Sequence, residues 1–248
     1  MLFRSALYFI LFVSLVATTW AAPDSLMVRA PGMESATGVW WPSANSSGGA
    51  KGLLKGRSEA PVVVWFHGGM TSGNCAKGFV AGDDFAQLFP DRIVVSASAC
   101  RQNHWATPQA LAAVDAALDS VAARRKAPVN KVDLVGISDG ALGVIMYSLS
   151  GKRRIGNRLL MSSYGASLGE ASAVAAEPKL KSGRWRFLQG GSDRLYPAAQ
   201  TLPWIQSFCK NVGVDCDLQY DPAGEHDWQY WKLNRLMWIK DAILPATP

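Results

Sequence analysis

The sequence holds only three histidines, His67, His104 and His226, and its four cysteines include no CxxC pair. Zinc and iron–sulfur centres draw on closely spaced thiolates and imidazoles, so no metal site is expected and no cofactor is called for. Charged residues are scarce, at 18%. Lys and Arg are scattered, with short clusters such as Arg124-Arg125-Lys126 and Lys152-Arg153-Arg154. The net charge of +6 therefore reads as a solvated basic surface and not as a nucleic-acid footprint. Beyond residue 21 no stretch is long and apolar enough to span a bilayer, and no internal repeat marks a solenoid or propeller. A chain of 248 residues has material for one sizeable core and little for a second domain.

What is present begins at the N-terminus. Arg4 supplies a basic start, residues 7–16 form an uncharged apolar run, and Thr19-Trp20-Ala21 places small residues around a cleavage point. Residues 1–21 are expected to be a secretory signal peptide, with a single domain over 22–248 and a secreted or periplasmic destination. An exported chain meets an oxidising environment in which Cys75, Cys100, Cys209 and Cys216 can pair. Sequence alone does not fix the connectivity. Cys209 and Cys216 close a short loop between a predicted helix and strand, whereas Cys75 and Cys100 follow two predicted strands, which favours Cys75 with Cys100 and Cys209 with Cys216.

Along the chain, residues 45–52 are a Ser/Gly loop joining early strands. Val62-Val63-Val64-Trp65-Phe66 and residues 93–97 read as strands buried on both faces. Thr107 is a plausible N-cap with Pro108 at the first helical position, and an alanine-rich helix runs to about Arg125. Residues 132–135 form the next buried strand and residues 141–149 the next helix. Further strands are expected at 159–162, 185–188 and 217–220, with helices at 202–210 and 228–243. Strands alternating with helices imply a largely parallel sheet covered on both faces.

A serine hydroxyl is a poor nucleophile until a base takes its proton. Serine-based acyl transfer therefore needs Ser, His, an orienting carboxylate and donors for the tetrahedral oxyanion. Ser138 stands in Gly136-Ile137-Ser138-Asp139-Gly140, between a predicted strand and a predicted helix, where flanking glycines permit a tight turn that lifts Oγ above the sheet. Past Ser138 the chain contains one histidine, His226 in Gly224-Glu225-His226-Asp227-Trp228, directly after the last predicted strand. Asp193, in Gly190-Gly191-Ser192-Asp193, follows the carboxyl end of another predicted strand, where functional groups of open α/β sheets gather. The competing acids are Asp215, Asp217 and Asp221 near the final strand, and Asp227 beside the histidine. One oxyanion N–H is expected from Met70 or Gly69, after His67-Gly68-Gly69, and the second from Asp139. His67 precedes the serine and reads as a structural hydrogen-bonding residue. Among ten tryptophans, Trp105, Trp228 and Trp231 fall near predicted loops and, with His104, are candidates for a substrate wall. Trp65 and Trp185, on strands, read as core.

Taken together, HGG, GxSxG, GGSD and EHDW resemble the secreted α/β-hydrolase esterases grouped around polyhydroxybutyrate depolymerase, feruloyl esterase and acetylxylan esterase, over about residues 62–231. The resemblance implies an α/β-hydrolase fold, a metal-free triad at Ser138, Asp193 and His226, and cleavage of carboxylic esters, small or polymeric, through an acyl-enzyme. Asp139 departs from that group, where a small or apolar residue often follows the nucleophile. The short span from Ser138 to Asp193 leaves no room for a large helical cap. Two rival readings remain at this level: a catalytically silent binding protein of the same fold, and a serine peptidase of the prolyl-oligopeptidase kind, which normally carries a further domain.

Overall fold

The computed structural model describes residues 23–42, 58–69, 75–100 and 104–244. The expected signal peptide and Met70 lie outside them. In chain order the elements are strands β1 (Asp24–Ala30), β2 (Met33–Trp40) and β3 (Val62–Phe66), helix α1 (Gly82–Leu88), β4 (Ile93–Ser96), α2 (Pro108–Arg125), β5 (Lys131–Ile137), α3 (Asp139–Ser150), β6 (Arg154–Met161), α4 (Ala171–Ala176), β7 (Arg184–Gly190), α5 (Ala198–Val212), β8 (Cys216–Asp221) and α6 (Trp228–Ile243). The eight strands form one sheet in the order β1-β2-β4-β3-β5-β6-β7-β8. The β1–β2 and β2–β4 pairs are antiparallel and every pairing from β4 to β8 is parallel.

The continuous apolar run of β3 has the physical reason expected of a central parallel strand: both faces are covered. Val62, Val64 and Phe66 face a core shared with α2, α3 and α5, whereas Val63 and Trp65 face a second core completed by α1 and α6. Helix α2 begins as its sequence suggests, with the Thr107 side chain accepting from the Ala110 amide and Pro108 in the first turn. Strand β6 starts at Arg154, ahead of the expected 159; its first four residues, Arg154-Ile155-Gly156-Asn157, hold one large apolar side chain and are mostly not fully buried, so they lack the apolar run of the buried end. Helix α1 and the six-residue α4 are too short to carry a readable period, and sequence reasoning missed both.

Cys75 is bonded to Cys100 and Cys209 to Cys216. The first bond ties the segment after β3 to the end of β4, and the second ties α5 to β8. No helix among the described residues is long and apolar enough to cross a membrane. Between β6 and β7 the chain makes only short turns and α4, and the described residues form no large cap over the carboxyl edge of the sheet.

Candidate active site

Ser138 links β5 directly to α3 and carries φ 57° and ψ −123°. A non-glycine residue held at positive φ costs about 1–3 kcal/mol and persists only where its surroundings over-determine it. Here they do. A Cβ on Gly136 would run into the Gly140 carbonyl, and one on Gly140 would run into the carbonyl of Phe66. The Ser138 amide donates to Met161 O at 3.0 Å, continuing the β5–β6 ladder into the turn. The hydroxyl is thus fixed at the carboxyl edge of the sheet, on a partly exposed residue.

His226 approaches from the loop between β8 and α6. Its Nε2 lies 2.8 Å from Ser138 Oγ and its Nδ1 lies 2.8 Å from Asp193 Oδ2. A carboxylate only accepts, so Nδ1 carries the ring hydrogen and Nε2 presents its lone pair to the serine hydroxyl. The loops bearing the histidine and the acid are locked together, because Ser192 N donates to Gly224 O at 2.9 Å.

Asp193 is 3% exposed. Its Oδ1 accepts from the amides of Leu195 at 3.0 Å and Tyr196 at 2.8 Å. Burial alone would raise this carboxyl, but the His226 N–H, the Tyr196 amide and the Ser162 hydroxyl outweigh it and hold it below the ordinary carboxylate value. These bonds favour the carboxylate form of Asp193. Its competitors are occupied elsewhere: Asp215 pairs with Arg186, Asp221 takes Tyr230 and Arg235, and Asp227 caps α6 at the Gln229 amide. Asp217 lies on β8, paired in register with Arg186 of β7.

The Asp139 amide is the first N–H of α3 and so has no intrahelical partner. Across from it, the His67-Gly68-Gly69 stretch abuts Ser138, with a Cβ on Gly68 standing 3.4 Å from Ser138 Cβ. Gly69 has φ 86°, a conformation that glycine adopts without steric cost. The Asp139 side chain turns inward at 2% exposure, with Oδ2 facing the Trp105 amide at 3.5 Å and Oδ1 unpartnered among the described residues. Burial pushes its carboxyl up, against smaller opposing effects of Trp105, His104 and Lys77.

His67 bridges β3 and β4, its Nε2 accepting from the Ala99 amide at 3.0 Å and its Nδ1 facing Gly68 O at 3.0 Å. Burial chiefly lowers it to about 4, which leaves it neutral near pH 7. The tryptophans expected along a substrate wall lie elsewhere. Trp105 is 0% exposed and donates to His67 O at 2.9 Å. Trp228 stacks on Phe85 and donates to Asp84 at 2.8 Å, and Trp231 is 0% exposed. All three are packing residues that turned back from loops into the core. His104 is half-buried and accepts from the Ala106 amide at 3.2 Å within the turn that starts α2.

Sequence reasoning did not single out Ser162, Tyr196 or Lys77. Ser162 follows the carboxyl end of β6, a position at which polar residues gather in α/β sheets, and that was the available signal. The ring of Tyr196 meets His226 edge-on at 4.8 Å and stacks on Tyr164 at 5.3 Å.

No family model and no curated protein sequence matches the chain. Solved structures do. An acylaminoacyl peptidase from Pyrococcus horikoshii aligns with TM-score 0.62 and 12% identity over 93% of this chain and 42% of its own, so this chain spans less than half of that protein. An S-formylglutathione hydrolase from Staphylococcus aureus aligns with TM-score 0.60 and 16% identity, over 90% of this chain and 99% of its own. A lidless α/β serine hydrolase from Xanthomonas campestris gives TM-score 0.59 and 15% identity over 92% and 97%. The chain has the α/β-hydrolase fold, with a mostly parallel eight-stranded sheet, helices on both faces and, among the described residues, no large cap.

Proposed function

We propose that this chain is an exported serine hydrolase that cleaves carboxylic esters through an acyl-enzyme on Ser138. One observation carries the reading: the continuous chain from Ser138 Oγ through His226 to Asp193, with both contacts at 2.8 Å. Its parts belong together chemically. As Ser138 Oγ attacks the ester carbon, its proton passes to His226 Nε2, and the C=O electron pair moves onto oxygen. The Asp139 amide and an amide of Gly69 or Met70 receive that oxyanion, each such donor being worth roughly 10²–10³ in rate. Collapse expels the alcohol, which takes the proton from His226. Water, deprotonated by the same nitrogen, then attacks the acyl carbon; collapse breaks the bond to Ser138 Oγ, which takes the proton back from His226 as the acid leaves.

The absence of a large cap suits an exposed or polymeric ester. The expected signal peptide, together with two disulfides, supports export. Structural neighbours include an S-formylglutathione hydrolase and an acylaminoacyl peptidase, and the triad chemistry is common to thioester, ester and peptide substrates. We favour esters because that is the substrate class implied by the resemblance carried by HGG, GxSxG, GGSD and EHDW. The test is hydrolysis of p-nitrophenyl esters from acetate to long chain, and of peptide p-nitroanilides, by the protein and by Ser138→Ala. Ester hydrolysis lost in the variant supports the reading. Faster cleavage of anilides overturns the ester assignment, and inactivity on every substrate points to a silent binding protein.

A further inference from the structure

Lys77 opens the 3-10 turn Lys77–Phe79 on the segment between β3 and α1. Its ammonium lies against the α-carbon of Gly69, in the place a Cβ on that residue would take. Gly69 belongs to the loop that abuts Ser138. The Lys77 charge also acts on the buried carboxyl of Asp139 and on His67. The ammonium therefore stands beside the Gly68-Gly69 stretch that abuts Ser138.

The turn that presents it is held on both sides. Two residues earlier Cys75 is bonded to Cys100, and one residue later the Gly78 amide donates to Ser98 Oγ at 2.7 Å. No ion pair to a described residue neutralises the ammonium. A half-buried lysine loses rotamer freedom and hydration, losses that a partner carboxylate ordinarily offsets.

We propose that Lys77 supplies the fixed positive charge of the oxyanion site, stabilising the tetrahedral oxygen formed on Ser138 alongside the two backbone amides. The inference rests on the ester-hydrolase reading. The carbonyl oxygen of a bound neutral ester carries little charge and the intermediate carries a full one, so the contribution lies in kcat and not in substrate binding. The titratable groups on which this charge acts are the His67 ring and the buried Asp139 carboxyl.

The experiment compares the protein with K77M, K77Q and K77R on neutral p-nitrophenyl acetate and butyrate, with thermal midpoints recorded for each. Labelling of the unsubstituted protein at Ser138 by a fluorophosphonate is read first; without it the ester-hydrolase reading itself fails, whatever Lys77 does. Given labelling, K77M and K77Q are expected to lose roughly ten- to a hundred-fold in kcat with KM changed less than about threefold, and K77R to regain a large part of the loss. Equal kcat in all four proteins overturns the inference. So does an equal loss in K77R, which assigns Lys77 to packing, or an effect confined to KM, which assigns it to substrate recognition.

Discussion

Trp231 donates its indole N–H to Ser162 Oγ across 3.3 Å. Because that bond occupies the serine as an acceptor, its hydroxyl hydrogen is free to reach Asp193. The closing helix is thereby coupled to the acid through one hydroxyl. Asp193 receives this donor together with the Leu195 and Tyr196 amides and the imidazole, and charge-assisted bonds of this kind fix both ionisation and orientation.

Ser162→Ala removes the hydroxyl and leaves the buried Trp231 N–H without a partner. The expected result is a loss of about 1–3 kcal/mol of stability in urea unfolding and a fall in kcat/KM of roughly tenfold as the acid loses one donor. A variant unchanged in both would mean that the relay is idle.

His67 gives the native state a pH dependence. It is buried and neutral, lowered to about 4 from an ordinary value of 6.5, so below pH 6.5 the unfolded chain binds a proton that the folded chain refuses. Stability is full above 6.5 and declines as pH falls towards 4, by about 3 kcal/mol. Asp193, also lowered, adds a loss in the same direction below the ordinary carboxylate range. Urea unfolding from pH 7.5 to 4 measures the decline. A flat profile over that interval, or one that His67→Gln leaves unaltered, contradicts the assignment.

Gly140→Ala places a methyl group against the carbonyl of Phe66, where β3 and α3 have no slack. The substitution is expected to cost about 3 kcal/mol or more and to lower the thermal midpoint by roughly 10 °C. A midpoint within about 2 °C of the original shows that the elbow can relax.

The parts of the site visible in the sequence were those written in local chain chemistry. GxSxG between strand and helix, one histidine after it, and an acid after the GG pair at a strand end each depend on a few neighbouring residues. The helix starting at Pro108 and the buried strand Val62–Phe66 were legible for the same reason: a cap and a β-branched run act locally. Other features depend on distant segments meeting. Trp231 and Ser162 are 69 positions apart, and no local pattern announces the contact. The same blindness made Trp105, Trp228 and Trp231 candidates for a substrate wall, because a tryptophan near a loop reads alike whether its ring faces solvent or folds back under the sheet. Lys77 was passed over as one scattered basic residue, since only the approach of its turn to Gly69 gives the ammonium a place.

The central claim is that Ser138 is a nucleophile activated by His226, and fluorophosphonate labelling followed by intact mass and peptide mapping tests it most directly. The account predicts one adduct, on the peptide containing Ser138, absent from Ser138→Ala and formed at least about a hundred-fold more slowly in His226→Ala. No adduct, an adduct on a different residue, or labelling that proceeds equally well without His226 would contradict it.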